Sequence, residues 1–365
     1  MAMNVSKQGF GTTKDGKEAT LYVMENKNGM KVTVSDFGAV IVNIFAPDRD
    51  GNFEDVALGY DSVTGYEDNG PGYGSFIGRH ANRIGGAAFT VGGQTYELAK
   101  NDNGVNNLHS GPKSYNKYFY DVETFVDEES VSVEFSRMSP DGEQGFPGNL
   151  DVSVTYTLTN DNDLAIEYFA VSDKDTVINL TNHTYFNLAG QASGSVLDQE
   201  VWINSHQITP TDKLLIPTGE IMDITGTAMD FQEPKPIGRD INADMECLKI
   251  AGGYDHNYVL DLDIEEEDEM DLVAILYDKQ SGRKMEVYTD LPGMQLYSGN
   301  FIDGSKDPNP GKGGVVYKKR DGVCFETQFY PNSCNIPSFP TSIFQAGEPY
   351  DFCTVYSFTV ENDEQ

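Results

Sequence analysis

Apolar and polar residues alternate one for one in short runs along almost the whole chain, and this period most constrains the fold. Successive side chains of a β-strand point to opposite faces, so strict alternation indicates strands that bury one face. Helical periodicity is confined to one or two turns within residues 244–250. The pattern predicts strands at residues 19–24, 31–34, 131–135, 151–158, 164–170, 272–277, 284–289 and 354–360.

Pairs of turn-forming residues separate these runs, and several of them suit tight hairpins. Examples are Asn28-Gly29, Asp50-Gly51, Gly92-Gly93 and Asp141-Gly142. Strands at regular intervals without intervening helices indicate an antiparallel, all-β protein. No stretch of linker composition divides the chain, so we expect one domain over residues 1–365, built as a large β-sandwich. The acidic run at residues 261–271 predicts a solvated loop or a charged hairpin edge.

The charge balance restricts the partners of the chain. Asp and Glu number 58 against 25 Lys and Arg, which gives a formal net charge of −33. A field of this sign repels phosphate backbones and anionic lipid, so we expect neither nucleic-acid nor membrane binding. A neutral small molecule is the substrate that fits this charge best.

Cysteine usage and hydropathy predict a reduced, cytoplasmic protein. The four cysteines form no CxxC pair and no Cys/His metal spacing, so we expect no structural zinc and no disulfide framework. The first ten residues lack the apolar core of a signal peptide, and no apolar run approaches the ~20 residues that span a bilayer.

Two glycine-bounded segments carry candidate binding residues. Residues 78–85 (GRHANRIG) contain two arginines and an asparagine, which can donate hydrogen bonds to hydroxyl oxygens. His80 in that segment is interpreted as a packed or exposed bystander. Residues 106–111 (NNLHSG) place His109 in a turn, from which its ring could point into a cleft.

Residues 179–188 (NLTNHTYFNL) are the most unusual segment of the chain. In a strand, one face would carry Thr181, His183, Tyr185 and Asn187. A polar row of this kind is unfavourable to bury without partners, and a solvent-facing strand would normally carry Lys, Glu and Thr instead. The segment therefore predicts the floor of a hydroxyl-binding cleft.

Residues 324–331 (CFETQFYP) place a single carboxylate, Glu326, between aromatic residues. Such surroundings can raise the pKa of a carboxyl group into the range that a general base needs near neutral pH. Two further polar pieces accompany this segment, at residues 252–257 and 293–300.

Together and in this order, the NHTYFNL, FETQ and GRxxNRI segments resemble the aldose 1-epimerase (galactose mutarotase) family, with the likeness running essentially from end to end. The resemblance implies a β-supersandwich with an open sugar cleft and without cofactor or metal. It assigns the catalytic acid to His183 and the catalytic base to Glu326. The implied sugar-contacting residues are Asn82, Arg83, His109, Asp255 and Gln295. Two positions depart from the family pattern, His80 for a small apolar residue and Ser110 for glycine.

The implied reaction interconverts the α and β anomers of a free aldohexose such as galactose or glucose. A base removes the anomeric hydroxyl proton while an acid protonates the ring oxygen, which suits a carboxylate and an imidazole. With unperturbed pKa values near ~4 and ~6.5, both groups would need modest upward shifts to work at pH 7.

Three other functions are weighed against this one, and a monomer and a dimer are both open. Epimerisation of a hexose 6-phosphate would need additional Arg or Lys, and Asp255 argues against it. A non-catalytic sugar-binding protein would have lost His183 or Glu326. A glycoside hydrolase would need paired carboxylates, and Asp255 is the sole plausible partner for Glu326.

Overall fold

The computed structural model describes residues 3–262 and 270–361, and its regular structure is almost entirely β. The helices are α1 (Val63–Asp68) and α2 (Glu246–Ala251), and short 3₁₀ turns lie at Gly85–Ala87, Tyr115–Lys117, Glu143–Gly145, Lys312–Gly314 and Ser333–Asn335. The strands are β1 (Asn4–Thr12), β2 (Glu18–Glu25), β3 (Lys31–Ser35), β4 (Ile41–Pro47), β5 (Phe53–Asp55), β6 (Ser75–Ile77), β7 (Arg83–Ile84), β8 (Ala88–Val91), β9 (Gln94–Glu97), β10 (Asn107–Leu108), β11 (Asp121–Val126), β12 (Ser130–Ser139), β13 (Leu150–Thr159), β14 (Asp163–Ser172), β15 (Thr176–Val177), β16 (Thr181–His183), β17 (Glu200–Ile203), β18 (Gln207–Ile208), β19 (Met222–Asp223), β20 (Lys235–Pro236), β21 (Asp255–Val259), β22 (Asp271–Tyr277), β23 (Arg283–Thr289), β24 (Gly293–Tyr297), β25 (Cys324–Gln328), β26 (Ile343–Phe344) and β27 (Pro349–Val360).

Three larger sheets organise these strands. A nine-stranded sheet has the order β11-β12-β13-β14-β27-β23-β22-β17-β20, and two five-stranded sheets have the orders β1-β2-β3-β4-β5 and β19-β18-β21-β24-β25. All pairs of named strands in the described ranges are antiparallel. The antiparallel all-β class is therefore confirmed. The single-domain organisation over residues 1–365 stays a prediction.

The predicted strands are all present, because their alternation matches the burial that the sheets impose. In β13, buried and more exposed residues alternate along the whole strand, as expected for a sheet with one face on the core. The helical turns predicted at residues 244–250 are α2, whereas α1 carries no signal that the sequence analysis used. Part of the predicted acidic loop, residues 263–269, lies outside the described residues.

Two of the predicted turns connect strands through loops of different lengths. Gly92 and Gly93 both have positive φ, 58° and 79°, and close a two-residue hairpin between β8 and β9. By contrast, Asp141-Gly142 opens a longer connection between β12 and β13 that includes a 3₁₀ turn.

One core joins the large sheets. Met24 from the first sheet, Val133 and Leu276 from the nine-stranded sheet, and Tyr258 and Phe325 from the third all belong to one cluster of buried side chains. Strands β16, β24 and β25 are buried along their entire length, so both of their faces are covered. One face packs on the core, and the other face can hold polar side chains away from bulk water.

A buried ion pair fastens a long irregular segment between β24 and β25 to the first sheet. Lys312 Nζ lies 2.6 Å from Asp55 Oδ2, and the two side chains are 5% and 9% exposed. The same ammonium donates to the Val42 carbonyl, and Asp55 also accepts from the backbone N–H groups of Ile44 and Ala57.

Lys312→Met is expected to destabilise the fold by about 3–5 kcal/mol, because it leaves the Asp55 carboxylate buried without its cation. Free energies of unfolding from urea titrations measure this effect. The matched control is Lys174→Met, which removes an exposed partner of Asp141 and should change the free energy of unfolding far less, because water screens a surface pair. Equal effects of the two substitutions would contradict the structural role of the buried pair.

Candidate active site

Six of the seven predicted site residues line one cavity of about 620 Å³, a volume in the usual range for small-molecule sites. The six are Asn82, Arg83, His109, His183, Asp255 and Glu326. They come from five separate parts of the sequence, which lie in or directly beside β7, β10, β16, β21 and β25. Gln295 is the seventh, and it does not line the cavity.

His183 and Glu326 face each other at the floor of the cavity. Nε2 of His183 lies 3.6 Å from Oε1 of Glu326, and the side chains are 9% and 3% exposed. The second carboxylate oxygen, Oε2, is buried and has no hydrogen-bond partner among the described residues. Behind the imidazole, the Cys324 thiol lies 3.5 Å from Nδ1. A buried carboxylate oxygen without a partner is unfavourable unless something enters the cleft to contact it.

Burial moves the pKa values of the two groups in opposite directions. Desolvation raises the pKa of Glu326 well above its usual value; the charge of Asp255 adds to this rise, and Arg83 opposes it. Desolvation lowers the pKa of His183 to about 4, against the effects of its own backbone carbonyl and of Asp255. The expected upward shift is therefore correct in direction for Glu326 and wrong for His183, because burial penalises the imidazolium as it penalises the carboxylate.

His109 is held by a reciprocal pair of hydrogen bonds with Asn82. The backbone N–H of His109 donates to the Asn82 carbonyl, and the backbone N–H of Asn82 donates to the ring nitrogen Nδ1 of His109, both at 3.0 Å. Because Nδ1 accepts, the proton of the neutral ring lies on Nε2. The His109 ring stands edge-on to that of His183, with centroids 5.4 Å apart. Both Asn82 and His109 have positive φ, which these residue types tolerate better than most.

The two arginines of residues 78–85 have different environments. Arg79 is fully buried away from the cavity, where its guanidinium donates to the carbonyls of Pro147 and Gly148 and to the Ser139 hydroxyl. Arg83 lines the cavity, and its Nε donates to Asp102 Oδ2 at 3.2 Å. Only Arg83 is therefore placed to contact a ligand, and Asp102 is a partner that the sequence analysis missed.

Gln295 lies one layer behind the cavity wall. Its Nε2 donates to Asp255 Oδ1 at 2.7 Å, and its Oε1 accepts a longer contact, 3.4 Å, from Gln328 Nε2. In the sheet, Gln295 stands opposite Glu326, and Asp255 stands opposite Tyr297. The structure thus places Gln295 against the Asp255 carboxylate rather than at the cavity surface.

The polar row predicted at residues 181–187 is shorter than expected. Strand β16 ends at His183; Tyr185 also lines the cavity, but Thr181 and Asn187 do not. Asn187 Nδ2 instead donates to the carbonyls of Gly194 and Asp321, in a buried network. The prediction of a four-residue polar floor is therefore wrong at both ends: Asn187 lies beyond the end of β16, and Thr181 lies within β16 but does not line the cavity.

Aromatic rings form one wall of the cavity; Tyr185 belongs to the predicted polar row, whereas Tyr297 and Phe301 were not predicted as site residues. Tyr185 packs on the His183 ring at 5.0 Å, and Tyr297 lies edge-on to His183 at 6.1 Å. The Tyr297 hydroxyl accepts the Phe301 N–H, and Phe301 stacks on the Tyr297 ring at the cavity mouth. Tyr185 follows His183 by two residues, and Tyr297 follows Gln295 by two. Because residues two apart in a strand share a face, this spacing is a signal that could have identified both tyrosines.

The two departures from the family pattern contact each other. The His80 N–H donates to the Ser110 hydroxyl at 2.8 Å, and that hydroxyl donates to the His80 carbonyl at 3.2 Å. His80 is fully buried, so of the two environments predicted for it the packed one is correct, and burial lowers the pKa of its ring to about 3. Ser110 thereby braces the turn that carries His109.

By distance alone, His109, His183 and Glu326 could hold a metal ion, because their ligating atoms lie within 4.8 Å of one another. A metal on Nε2 of His109 needs that nitrogen deprotonated, with the ring proton on Nδ1. Nδ1 already accepts the Asn82 N–H, so the three side chains fit a metal poorly.

Comparisons with known proteins place this site in a family. Residues 20–357 match the family model for aldose 1-epimerases. The galactose mutarotase of Bos taurus is 39% identical over 358 residues, covering 98% of this chain and 99% of that protein. The chain belongs to the aldose 1-epimerase family.

Further relatives of this epimerase agree in sequence and in structure. The aldose 1-epimerase of Escherichia coli strain K12 is 36% identical over 349 residues, covering 95% of this chain and 97% of that protein. The crystal structure of a galactose 1-epimerase from Lactobacillus acidophilus superposes with a TM-score of 0.85 at 27% identity, over 99% of this chain and the whole of the other. The mutarotase-like β-sandwich fold is therefore confirmed, and the chain is a carbohydrate epimerase.

Glu326→Gln is expected to stabilise the epimerase increasingly as the pH rises. Because burial raises the pKa of Glu326, its contribution to stability is fully present below the unfolded pKa of ~4.3 and is lost as the pH rises through the folded value. Glutamine does not ionise, so the difference in melting temperature between variant and wild type should grow from pH 4.5 to pH 8 in scanning calorimetry. The exposed Glu128→Gln variant, which has no burial penalty to relieve, is the control. A difference for Glu326→Gln that is constant with pH would show that Glu326 is not desolvated.

Proposed function

We propose that this cavity opens and recloses the ring of free aldohexoses such as galactose and glucose, with Glu326 as the base and His183 as the acid. The observation that carries the proposal is the buried Oε2 of Glu326, which has no protein partner among the described residues, beside an imidazole 3.6 Å away. Mutarotation of hexoses is the activity of the family, and the neutral substrate agrees with a net charge of −33.

The proposed reaction uses one proton transfer at each end of the hemiacetal. Glu326 removes the proton of the C1 hydroxyl while His183 protonates the ring oxygen, and the bond between C1 and the ring oxygen breaks. The open-chain aldehyde rotates about C1–C2, and the ring oxygen attacks the other face of C1. Each residue then reverses its transfer, so the enzyme returns to its starting state without a net change of atoms or charge.

The opposite pKa shifts suit a pair that must exchange roles within one turnover. Burial favours the neutral carboxyl and the neutral imidazole, whereas Arg83 favours the ionised carboxylate and Asp255 favours the imidazolium. The neutral arrangement and the ionised arrangement contain the same number of protons, so the pair can pass between them without exchanging a proton with solvent. Burial therefore favours the neutral arrangement, and one proton transfer from Glu326 to His183 produces the ionised arrangement that starts the reaction.

The remaining cavity residues are proposed to hold the sugar. Arg83 and the Nε2–H of His109 supply donors, and Asn82 supplies a side-chain amide. Asp255 supplies an acceptor, because Oδ1 is taken by Gln295 and Oδ2 is left for a sugar hydroxyl. Gln295 therefore acts through Asp255 rather than by touching the sugar.

A sugar phosphate fits this cavity poorly. Of the two lysines at its wall, Lys117 donates to the backbone carbonyls of Tyr66 and Glu67, and Lys306 pairs with Asp303. The carboxylates of Asp68, Asp303 and Asp307 line the same wall and would repel a dianion.

We also propose that the protein is cytoplasmic, that it does not bind nucleic acid, and that it is a monomer or a dimer. The four cysteines are free thiols, as a reducing compartment would keep them. Among residues 3–262 and 270–361, no helix is both long enough and apolar enough to cross a bilayer.

Glu326→Gln and His183→Asn are each expected to lower kcat at least ~100-fold, the lower end of general acid–base contributions. Polarimetry on freshly dissolved α-D-galactose and α-D-glucose measures the rate against a buffer blank. The matched controls Glu128→Gln and His206→Asn change the same residue types at exposed positions and should keep wild-type rates. A near-normal rate in either site variant would remove that residue from the mechanism.

Arg83→Ala is expected to raise KM for galactose about tenfold, because it removes a charge-assisted hydrogen bond to the sugar. Gln295→Ala should raise KM less, since Asp255 stays in place and loses only its support. The exposed Arg239→Ala variant controls for the loss of one positive charge. If Gln295→Ala exceeds Arg83→Ala in its effect on KM, Gln295 contacts the sugar directly and its place behind Asp255 is contradicted.

A further inference from the structure

Asp102 contacts the cavity only through Arg83. It lies in the turn between β9 and β10, and its carboxylate does not line the cavity. Oδ2 accepts the Nε–H of Arg83 at 3.2 Å, and both side chains are 12% exposed. An ion pair at this depth is screened less by water than a surface pair.

The turn holds Asp102 rigidly in this position. The Asp102 N–H donates to the Asn106 carbonyl and the Asn106 N–H donates back to the Asp102 carbonyl, both at 3.0 Å. Asn103 Nδ2 donates to the other carboxylate oxygen at 3.1 Å. Asn106 Oδ1 accepts the Gly86 N–H, which ties the turn to the chain that follows Arg83.

The backbone of Arg83 is fixed as well. Its N–H donates to Asn82 Oδ1 at 2.8 Å, and its carbonyl accepts the Asn332 N–H at 2.9 Å. The guanidinium is thus the mobile part of the residue, and Asp102 is the one partner of its side-chain N–H groups among the described residues. The direction of the guanidinium depends on that contact.

A competing partner lies in the same cavity. Oε2 of Glu326 is buried without a hydrogen bond, and the Arg83 charge already acts on the Glu326 carboxyl. A guanidinium freed from Asp102 would be attracted to that carboxylate, because paired buried charges are far more favourable than an isolated one. Such a pair would hold Glu326 ionised as a weak base and would occupy the oxygen that receives the anomeric proton.

We propose that Asp102 is a positioning residue that holds Arg83 away from Glu326, so that both Nη groups of Arg83 serve the sugar and Oε2 stays open for the anomeric hydroxyl. The proposal rests on the function proposed above for Arg83 and Glu326. It adds a residue outside the cavity whose charge controls both substrate binding and the strength of the base.

The test compares Asp102→Ala, which removes the contact, with Asp102→Asn, which keeps the shape and an acceptor but removes the charge. Asp102→Ala should raise KM for galactose about tenfold, the order expected for one charge-assisted hydrogen bond, and Asp102→Asn about threefold. The acid limb of the kcat/KM profile, measured by polarimetry, should move to lower pH in both variants because Glu326 gains a cation. The other groups that face Glu326 stay unchanged: His109, His183, Tyr185, Asp255, Tyr297 and Cys324.

The control variant is Glu143→Gln, which breaks an equally buried ion pair with Arg137, 11% and 10% exposed, away from the cavity. It should lower the melting temperature without changing KM or the pH profile. Asp102→Glu, which keeps the charge, should retain most of the wild-type KM.

Each outcome decides the proposal. If Arg83→Ala raises KM while both Asp102 variants keep the wild-type KM and pH profile and lose only thermal stability, Asp102 is merely structural and the inference is overturned. If Arg83→Ala leaves KM unchanged, the sugar-binding role of Arg83 fails first, and the inference fails with it. A raised KM together with a shifted acid limb, restored by Asp102→Glu, supports it.

Discussion

The cavity of this epimerase encloses one desolvated carboxylate, and its other side chains are arranged around it. Glu326 is 3% exposed, and one of its oxygens has no partner among the described residues. Burial of this kind disfavours the ionised form, so the group holds its proton more tightly than a surface glutamate does. The same burial weakens the proton affinity of His183 3.6 Å away, so the two shifts together favour a protonated Glu326 beside a neutral imidazole.

The sheet architecture allows the carboxylate to be buried. Strand β24 pairs with β21 on one side and with β25 on the other, so its backbone groups are satisfied within the sheet and its side chains are what need partners in the cavity wall. Phe325 packs into the core on one face while Glu326 stands in the cavity on the other, because successive residues of a strand alternate. Around the carboxylate, each charged group has its own support: Asp255 from Gln295, and Arg83 from Asp102.

Sequence patterns predicted the strands better than they predicted the residues that contact the cavity side chains from behind, such as Gln295 and Asp102. Alternation identified β13, β14 and β27 because each of them has one face on the core. It could not separate Arg79 from Arg83, since the direction of each side chain is decided by loops from distant parts of the chain. The same limit applies to Gln295 and Asp102, because only the fold brings them into contact with Asp255 and Arg83. The lowered pKa of His183 was missed because desolvation depends on the covering of β16 on both faces, which no local pattern reports.

The central claim is that the buried pair opens the sugar ring at the bond between C1 and the ring oxygen. The retention of an oxygen label tests this claim most directly. Galactose carrying ¹⁸O at its anomeric hydroxyl would be incubated with the enzyme through many turnovers, and the label at C1 followed by mass spectrometry against an enzyme-free blank. Ring opening leaves the bond between C1 and its hydroxyl oxygen intact, so the account predicts no loss of label beyond the blank while the anomers interconvert. Loss of ¹⁸O to water at the rate of mutarotation would mean that the exocyclic bond breaks instead, and would contradict the roles given to Glu326 and His183.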